Sequence, residues 1–335
     1  MTELSKKCVL VTGATGFIGC KLCAALKEKG YFVRGAIRNN ARDVSGVDEY
    51  IQVGDINEST DWQPALAEVD TVVHLAGRVH IMNDPEVYPI DAFRKVNVLG
   101  TERLARMAVK AGVRRLIFIS SVKVNGEGFQ VPYTERDVPA PQDAYGVSKR
   151  EAEDSLACIA NETGLQVVIL RLPLVYGPGV KANFKNLIKL AGSGLPLPFK
   201  GINNQRSFLY LGNLVDAIIT CISYPLAAGE TFLVSDGQDV STPDLIKMIA
   251  GEIKTRGRFC FSGKGTGKNR TVPCFLFYLH PGILKALCRI VGKGEELEKL
   301  TGSLLVDSSK IRNLLGWKPP FTLEEGIKEM VGIKA

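Results

Sequence analysis

Three glycines, Gly13, Gly16 and Gly19, stand in the run Thr12-Gly13-Ala14-Thr15-Gly16-Phe17-Ile18-Gly19. A GxxGxxG triple is weak evidence on its own. Its place gives it weight: it follows the first apolar, strand-like run, 8–12, and opens the first helical pattern, 17–29. There the glycines permit a tight turn, close approach of backbone to a pyrophosphate, and close packing of helix on strand. The free N–H groups and the dipole of the helix N-terminus then hold the anion. That is the chemistry of a dinucleotide site. An NAD site usually has an acidic residue about 20 residues further on, accepting from the ribose hydroxyls. Here the second strand runs into Ile37-Arg38-Asn39-Asn40-Ala41-Arg42, with no acid before Asp43. The Arg38 guanidinium suits a 2′-phosphate, which favours NADP(H) and leaves NAD(H) open. Stacking on adenine, or plain solvation, are its other roles. Asp55, after the third strand, either accepts from the adenine amino group or belongs to a surface turn.

Tyr145 and Lys149 form the only Tyr-x-x-x-Lys in the chain, inside a stretch, 144–163, whose pattern predicts a helix. Residues four apart share one helix face. A phenol of pKa near 10 is a poor base at neutral pH. A neighbouring ammonium, with a positive nicotinamide, stabilises the phenolate and brings it toward the working range. Ser121, 24 residues upstream at the end of the fifth predicted strand, can hydrogen-bond the same substrate oxygen. Lys123 shares a side with Ser121 if the extended spacing continues, so it touches substrate or solvent. His74, ending a strand, is expected to be packed and hydrogen-bonded. His80, in the following loop, contacts substrate or is solvated. Cys20 and Cys23 have CxxC spacing, but no second pair or histidine cluster accompanies them, so no metal site is expected. The eight cysteines are scattered, most in apolar runs, and read as buried free thiols.

The elements that position these residues alternate. Strand patterns fall at 8–12, 31–37, 50–53, 71–75, 114–120 and 166–171, and helical ones at 17–29, 91–111 and 144–163. Strand runs that are apolar throughout are covered on both faces, and strand–helix repetition predicts an α/β, doubly wound parallel sheet. After Pro173 the texture becomes loop-rich to about 201, followed by helical patterns at 212–223, 242–255, 274–291 and 308–315, and a last one from Thr322. The expected division is a nucleotide-binding domain at 1–172 plus about 208–235, and a smaller substrate lobe at 173–207 and 236–335.

Over 335 residues, 45% are hydrophobic and 23% charged, which excludes disorder, collagen and coiled coil for the whole chain. The net charge of +7 comes without any run of five like charges, so no nucleic-acid partner is expected. The apolar stretch 273–291 is broken by His280, Pro281, Gly282, Lys285 and Arg289, too often for a transmembrane helix. Within it, 275–291 reads as lobe core or, alternatively, as a partner surface. The N-terminus has no signal-peptide pattern, and a cytoplasmic protein is expected.

The glycine loop and the Ser121, Tyr145 and Lys149 set, with His74-Leu75-Ala76-Gly77 and Val96-Asn97-Val98, resemble the extended short-chain dehydrogenases/reductases. Leu170 to Gly179, Asn203 to Phe208, Leu305 to Lys310 and Leu315 to Pro319 resemble motifs of their nucleotide-sugar epimerase/dehydratase group, over essentially the whole chain. The resemblance implies Ser121, Tyr145 and Lys149 as catalytic. It implies cofactor contacts at Gly13, Thr15, Gly16, Phe17, Ile18, Gly19, Arg38, Asp55, Ile56, Leu75, Ala76, Gly77, Asn97, Tyr145, Lys149 and Pro173. Substrate contacts would fall at Arg78, His80, Ser121, Lys123, Asn183 and Arg206, the last two on a nucleotide diphosphate. It also implies a homodimer through the helices at 91–111 and 144–163. Two departures stand out: the acid ending strand two is missing, and the usual tyrosine after the catalytic serine is replaced in Val122-Lys123-Val124-Asn125-Gly126.

That last stretch, with Arg78-Val79-His80, is similar to 4-reductases of UDP-4-keto-6-deoxy-N-acetylhexosamines in O-antigen synthesis. The expected activity is therefore NAD(P)H-dependent reduction of a 4-keto UDP-sugar. A UDP-hexose or UDP-N-acetylhexosamine 4-epimerase with bound NAD is the alternative. A silent NADP-binding sensor is the distant one, opposed by the intact catalytic set.

Overall fold

Val9, Leu10 and Val11 expose no surface. Neighbouring strand residues point to opposite faces, so both faces of this strand are covered. The computed structural model describes residues 7–39, 44–79, 89–128, 131–180, 183–193, 199, 201–255 and 301–332. In it, β1 (Cys8–Thr12), β2 (Phe32–Ile37), β3 (Glu49–Gln52), β4 (Thr71–His74), β5 (Arg115–Ser121) and β6 (Gln166–Leu172) form a parallel sheet. Two further strands, β7 (Leu174–Tyr176) and β8 (Phe208–Tyr210), pair with each other. The last, β9 (Thr231–Leu233), joins β6 and completes the order β3-β2-β1-β4-β5-β6-β9.

The helices are α1 (Phe17–Glu28), the single turn α2 (Gln63–Leu66), α3 (Pro89–Phe93), α4 (Gly100–Lys110), α5 (Ala144–Thr163), α6 (Asn183–Gly192), α7 (Leu211–Ser223), α8 (Thr242–Thr255), α9 (Ser309–Leu315) and α10 (Leu323–Gly332). Val9 and Val11 share a core with Leu22 and Leu26 of α1 and with Leu214 and Ile218 of α7. Leu10 on the other face packs with Leu104 and Ala108 of α4 and Leu156 and Ile159 of α5. Uninterrupted apolar strands are the signature of this two-sided cover. The strand order reverses at β1, which opens a crevice at the carboxyl ends of β1 and β4, where open α/β sheets bind ligands.

The first core cluster continues into the C-terminal part, through Tyr176, Phe184, Phe208 and Tyr210 to Ile327 and Met330. Tyr176 meets Phe184, Phe208 and Tyr210 with ring centroids 5.4–6.4 Å apart. Several elements depart from the sequence expectation. The stretch expected to be loop to 201 contains α6, and β7, β8 and β9 are each three residues long, too short for a period-2 signal. Between α3 and α4 the backbone takes a π-helical turn, Arg94–Leu99. Cys8, Cys23 and Cys221 are buried free thiols as expected, whereas Cys20 and Cys158 are exposed on helix surfaces. The stretch 273–291 lies outside the described residues. No described helix is long and apolar enough to cross a membrane.

Candidate functional site

The turn from β1 to α1 is shaped by its glycines. Gly13 has φ +68°, a left-handed conformation, and a Cβ there would stand 3.1 Å from the backbone nitrogen of Ala76. The Gly16 N–H donates to the Gly13 carbonyl at 2.9 Å. A Cβ on Gly19 would lie 2.2 Å from the Gly13 carbonyl oxygen and 2.7 Å from that of Ala14. Thr15 and Gly16 are exposed at the head of α1, and no side chain caps that end and no acid sits in its first turn. Its positive pole is open to an anion. These features fit a dinucleotide pyrophosphate. Gly19→Ala is accordingly expected to push α1 off the loop and to weaken NAD(H) binding at least ~10-fold, with no other contact removed. Fluorescence titration of NADH checks this, and unchanged affinity would refute the packing role.

The neighbouring loop, Leu75 to Arg78, is held from two sides. Thr12 Oγ1 accepts from the Ala76 N–H at 3.1 Å and meets His74 Nδ1 at 2.7 Å, while His74 Nε2 meets Thr101 Oγ1 at 3.0 Å. His74 is thus the packed, hydrogen-bonded strut expected of it. Burial, with help from the Lys149 charge, lowers its pKa to about 3. Unfolded, it takes a proton near pH 6.5. Between these values unfolding takes up a proton, so stability falls as pH drops from about 6.5 toward 3, by up to ~1.4 kcal/mol per unit. Urea midpoints between pH 7 and 5 should fall more steeply for the wild type than for His74→Gln; parallel slopes would refute this.

From the other side, Asn97 Oδ1 accepts from the Arg78 N–H at 2.8 Å, and its Nδ2 donates to the Arg78 carbonyl at 2.9 Å and to Ser148 Oγ at 3.0 Å. Asn97 sits in the π-helical turn, a feature frequent at functional sites. Ser148 donates to the Tyr145 carbonyl at 2.8 Å, so one side chain ties the cofactor-side loop to α5.

On α5, the Lys149 ammonium is buried, donates to the Ile119 carbonyl at 2.8 Å, and stands 4.4 Å from the Phe118 ring centroid. A Cβ on Gly77 would be 3.6 Å from it. Burial lowers its pKa to about 8, with Glu153 pulling the other way. Tyr145 packs edge-on against Phe93 at 6.1 Å. The sequence expectation for its pKa counts a positive nicotinamide beside it. In the protein alone, burial raises it to about 12 and Asp143 adds to the rise, so the phenol keeps its proton at neutral pH. Helix spacing accounts for the ammonium and not for the desolvation. Ser121 ends β5, with its Oγ accepting from the Lys123 N–H at 3.3 Å.

Behind these residues lies a buried network centred on Glu153, which no sequence motif singles out. Glu153, two turns along α5 from Tyr145, accepts from Ser120 Oγ at 2.5 Å and pairs with Arg171 of β6 at 2.6 Å. Arg171 also donates to Asn125 Oδ1 at 3.1 Å. The available signal was an arginine inside an otherwise apolar strand.

Arg38 and Asp55 meet each other at the adjoining strand ends, 2.9 Å apart and both about three-quarters exposed, at 75% and 77%. The Lys123 ammonium, expected at substrate or in solvent, pairs with Asp143 and with Glu127. Arg206 is half-buried, donates to the Gly302 carbonyl at 2.8 Å, and bridges to the Val240 and Leu304 backbones. Burial holds its guanidinium below the usual arginine range. Pro173 is buried after β6, and Ile56 packs against Gly100. His80 and the side chain of Asn183 lie outside the described residues.

Residues 9–235 match the model of the NAD dependent epimerase/dehydratase family. The chain belongs to that family. Among its relatives, the UDP-glucose 4-epimerase of Vibrio cholerae is 44% identical over 327 residues, covering 96% of this chain and 94% of that protein. The N-acetyl-alpha-D-glucosaminyl-diphospho-ditrans,octacis-undecaprenol 4-epimerase of Escherichia coli O157:H7 is 27% identical, with 95% and 92% covered. Among solved structures, that of MoeE5 in complex with UDP-glucuronic acid and NAD has a TM-score of 0.73 at 26% identity, with 97% of each chain covered. As a member of the epimerase/dehydratase family, an extended short-chain dehydrogenase/reductase, the protein is a nicotinamide-dependent enzyme. The glycine turn, the open pole of α1 and the braced 75–78 loop are the parts that fit such a cofactor.

Proposed function

We propose that the protein is a UDP-hexose or UDP-N-acetylhexosamine 4-epimerase working with bound NAD. Lys149, on the same helix as Tyr145, bonded to Ile119 next to the β5 end that carries Ser121 and lying beside Gly77, supports this reading, in a chain 44% identical to a UDP-glucose 4-epimerase. The bound nicotinamide would supply a hydride acceptor and donor for C4 of the sugar. Tyr145 takes the O4 proton as C4 is oxidised to the ketone and returns it after the sugar has presented its other face. Ser121 holds O4 by a hydrogen bond. Lys149, on the helix that carries Tyr145 and held by its bond to Ile119, would support the phenolate and the cofactor ribose. Arg206 and Asn183 take the nucleotide diphosphate, and the outer faces of α4 and α5 make a homodimer, which light scattering tests.

The decisive experiment is incubation with UDP-glucose, and separately UDP-N-acetylglucosamine, plus NAD, followed by proton NMR. The expected product is the C4 epimer without net cofactor consumption. Consumption of one NADPH per 4-keto UDP-sugar, with no epimerisation, would overturn it. That outcome is the 4-reductase first expected from the sequence, which stays as a second reading on one observation, Arg38 with no acid before Asp43. The relatives support the epimerase over it.

Arg38 also bears on the cofactor. Its carboxylate partner, Asp55, offsets its charge, and an exposed pair of this kind is worth about 0–1 kcal/mol, so a 2′-phosphate can displace it. Arg38→Ala is expected to weaken NADPH binding about 10-fold, the worth of a modest charge-assisted hydrogen bond, and NADH binding under about 3-fold. Equal losses in parallel titrations would remove Arg38 from cofactor choice.

A further inference from the structure

Lys123 and Asp143 flank the catalytic pair symmetrically: Lys123 comes two residues after Ser121, and Asp143 two before Tyr145. One Asp143 oxygen, Oδ2, receives the Lys123 ammonium. The other, Oδ1, accepts from the Gly146 N–H at 2.7 Å and caps α5. The backbone N–H of Lys123 orients Ser121 Oγ. Gly146 supplies an independent observation. A Cβ there would come 2.9 Å from the Lys123 carbonyl oxygen and 3.2 Å from Asp143 Oδ1. Only a residue without a side chain next to Tyr145 lets the 122–124 turn close on the head of α5.

We propose that Lys123 and Asp143 are positioning residues that clamp the Ser121 end of β5 to the first turn of α5 and set the charge that the Tyr145 phenol faces. The proposal rests on the assignment of Ser121 and Tyr145 to the proton transfer. Asp143 opposes ionisation of Tyr145, and the Lys123 ammonium offsets that carboxylate. Among the described residues, the other charged groups on the elements packed here are Glu127, paired with Lys123, Lys149 on the helix that carries Tyr145, and Arg78. The Arg78 guanidinium stands 5.6 Å from the ring centroid of Phe93, which itself packs on Tyr145. Of these, Lys149 also ties α5 to β5 through its bond to the Ile119 carbonyl, while the Lys123–Asp143 pair does so at the Ser121 end.

The test compares Lys123→Met, Lys123→Arg and Asp143→Asn in the NAD-loaded enzyme, reading single-turnover hydride transfer against pH with saturating UDP-glucose. Asparagine is as good a cap as aspartate, so Asp143→Asn removes charge and keeps the helix start. Lys123→Met leaves Asp143 without its ammonium and should move the Tyr145-dependent limb to higher pH by about half a unit; Asp143→Asn should move it lower by a similar amount. Lys123→Arg should restore the wild-type position. Calorimetry with UDP alone should give affinities within about 2-fold for all three variants. Shifts in the same direction, or none, would overturn the proposal. A 10-fold loss of UDP affinity in Lys123→Met would also overturn it, making Lys123 a substrate contact. Tyr145→Phe serves as the control: undiminished turnover there would remove the catalytic assignment itself, whatever the other variants do.

Discussion

Tyr145→Phe is expected to lower the single-turnover rate of hydride transfer by about 10²–10⁴-fold while leaving NAD and UDP affinities within a few-fold. The aromatic body and its packing on Phe93 remain, and only the proton-carrying oxygen goes. Sugar oxidation needs the phenolate, and burial with Asp143 holds the phenol protonated at neutral pH in the protein alone. The wild-type rate should therefore rise with pH, and that rise should be absent in the variant. A variant with near wild-type turnover, under conditions where chemistry limits the rate, would refute the assignment. The same pH dependence in both proteins would also count against it, since another group would then be titrating.

Glu153→Ala is expected to cost about 3–5 kcal/mol of stability, the usual penalty for leaving one member of a buried ion pair behind. Glu153 is 3% exposed and Arg171 4%. With the carboxylate removed, the guanidinium would keep Asn125 Oδ1 as its side-chain partner, and Ser120 would lose its acceptor. Replacing both charges, as in Glu153→Leu with Arg171→Met, should recover most of the loss, because the desolvation penalty disappears with the pair. Urea denaturation of the two variants checks both statements. A loss below about 1 kcal/mol in Glu153→Ala would mean that water reaches the pair. The double variant should remain less active than the wild type, because Lys149 one turn away would lose the carboxylate that opposes its deprotonation.

Much of the architecture is legible in the chain because its signals are local. Strands covered on both faces are apolar along most of their length, and the runs at 8–12, 71–74 and 115–120 show this in the order of residues alone. Helix α5 is readable to the residue, from a capping aspartate at 143 to a left-handed glycine at 164. The glycine turn is likewise written in one short segment, since the steric demands at Gly13 and Gly19 come from residues nearby in sequence and from one loop beside it. Tyr145 and Lys149 share a face by helix geometry alone.

Tertiary structure decided whatever depends on distances between segments. Which carboxylate meets the Lys123 ammonium, that Arg38 and Asp55 face each other, and that Asn97 grips both backbone groups of Arg78 all depend on how separate strand ends converge. The strands of three residues owe their existence to partners far along the chain. The clearest case is Tyr145. Its sequence neighbours include an ammonium, which alone would lower its pKa, yet the folded phenol is raised. Spacing along a helix reports which charges are near, but desolvation depends on everything packed around the ring, and only the assembled fold supplies that.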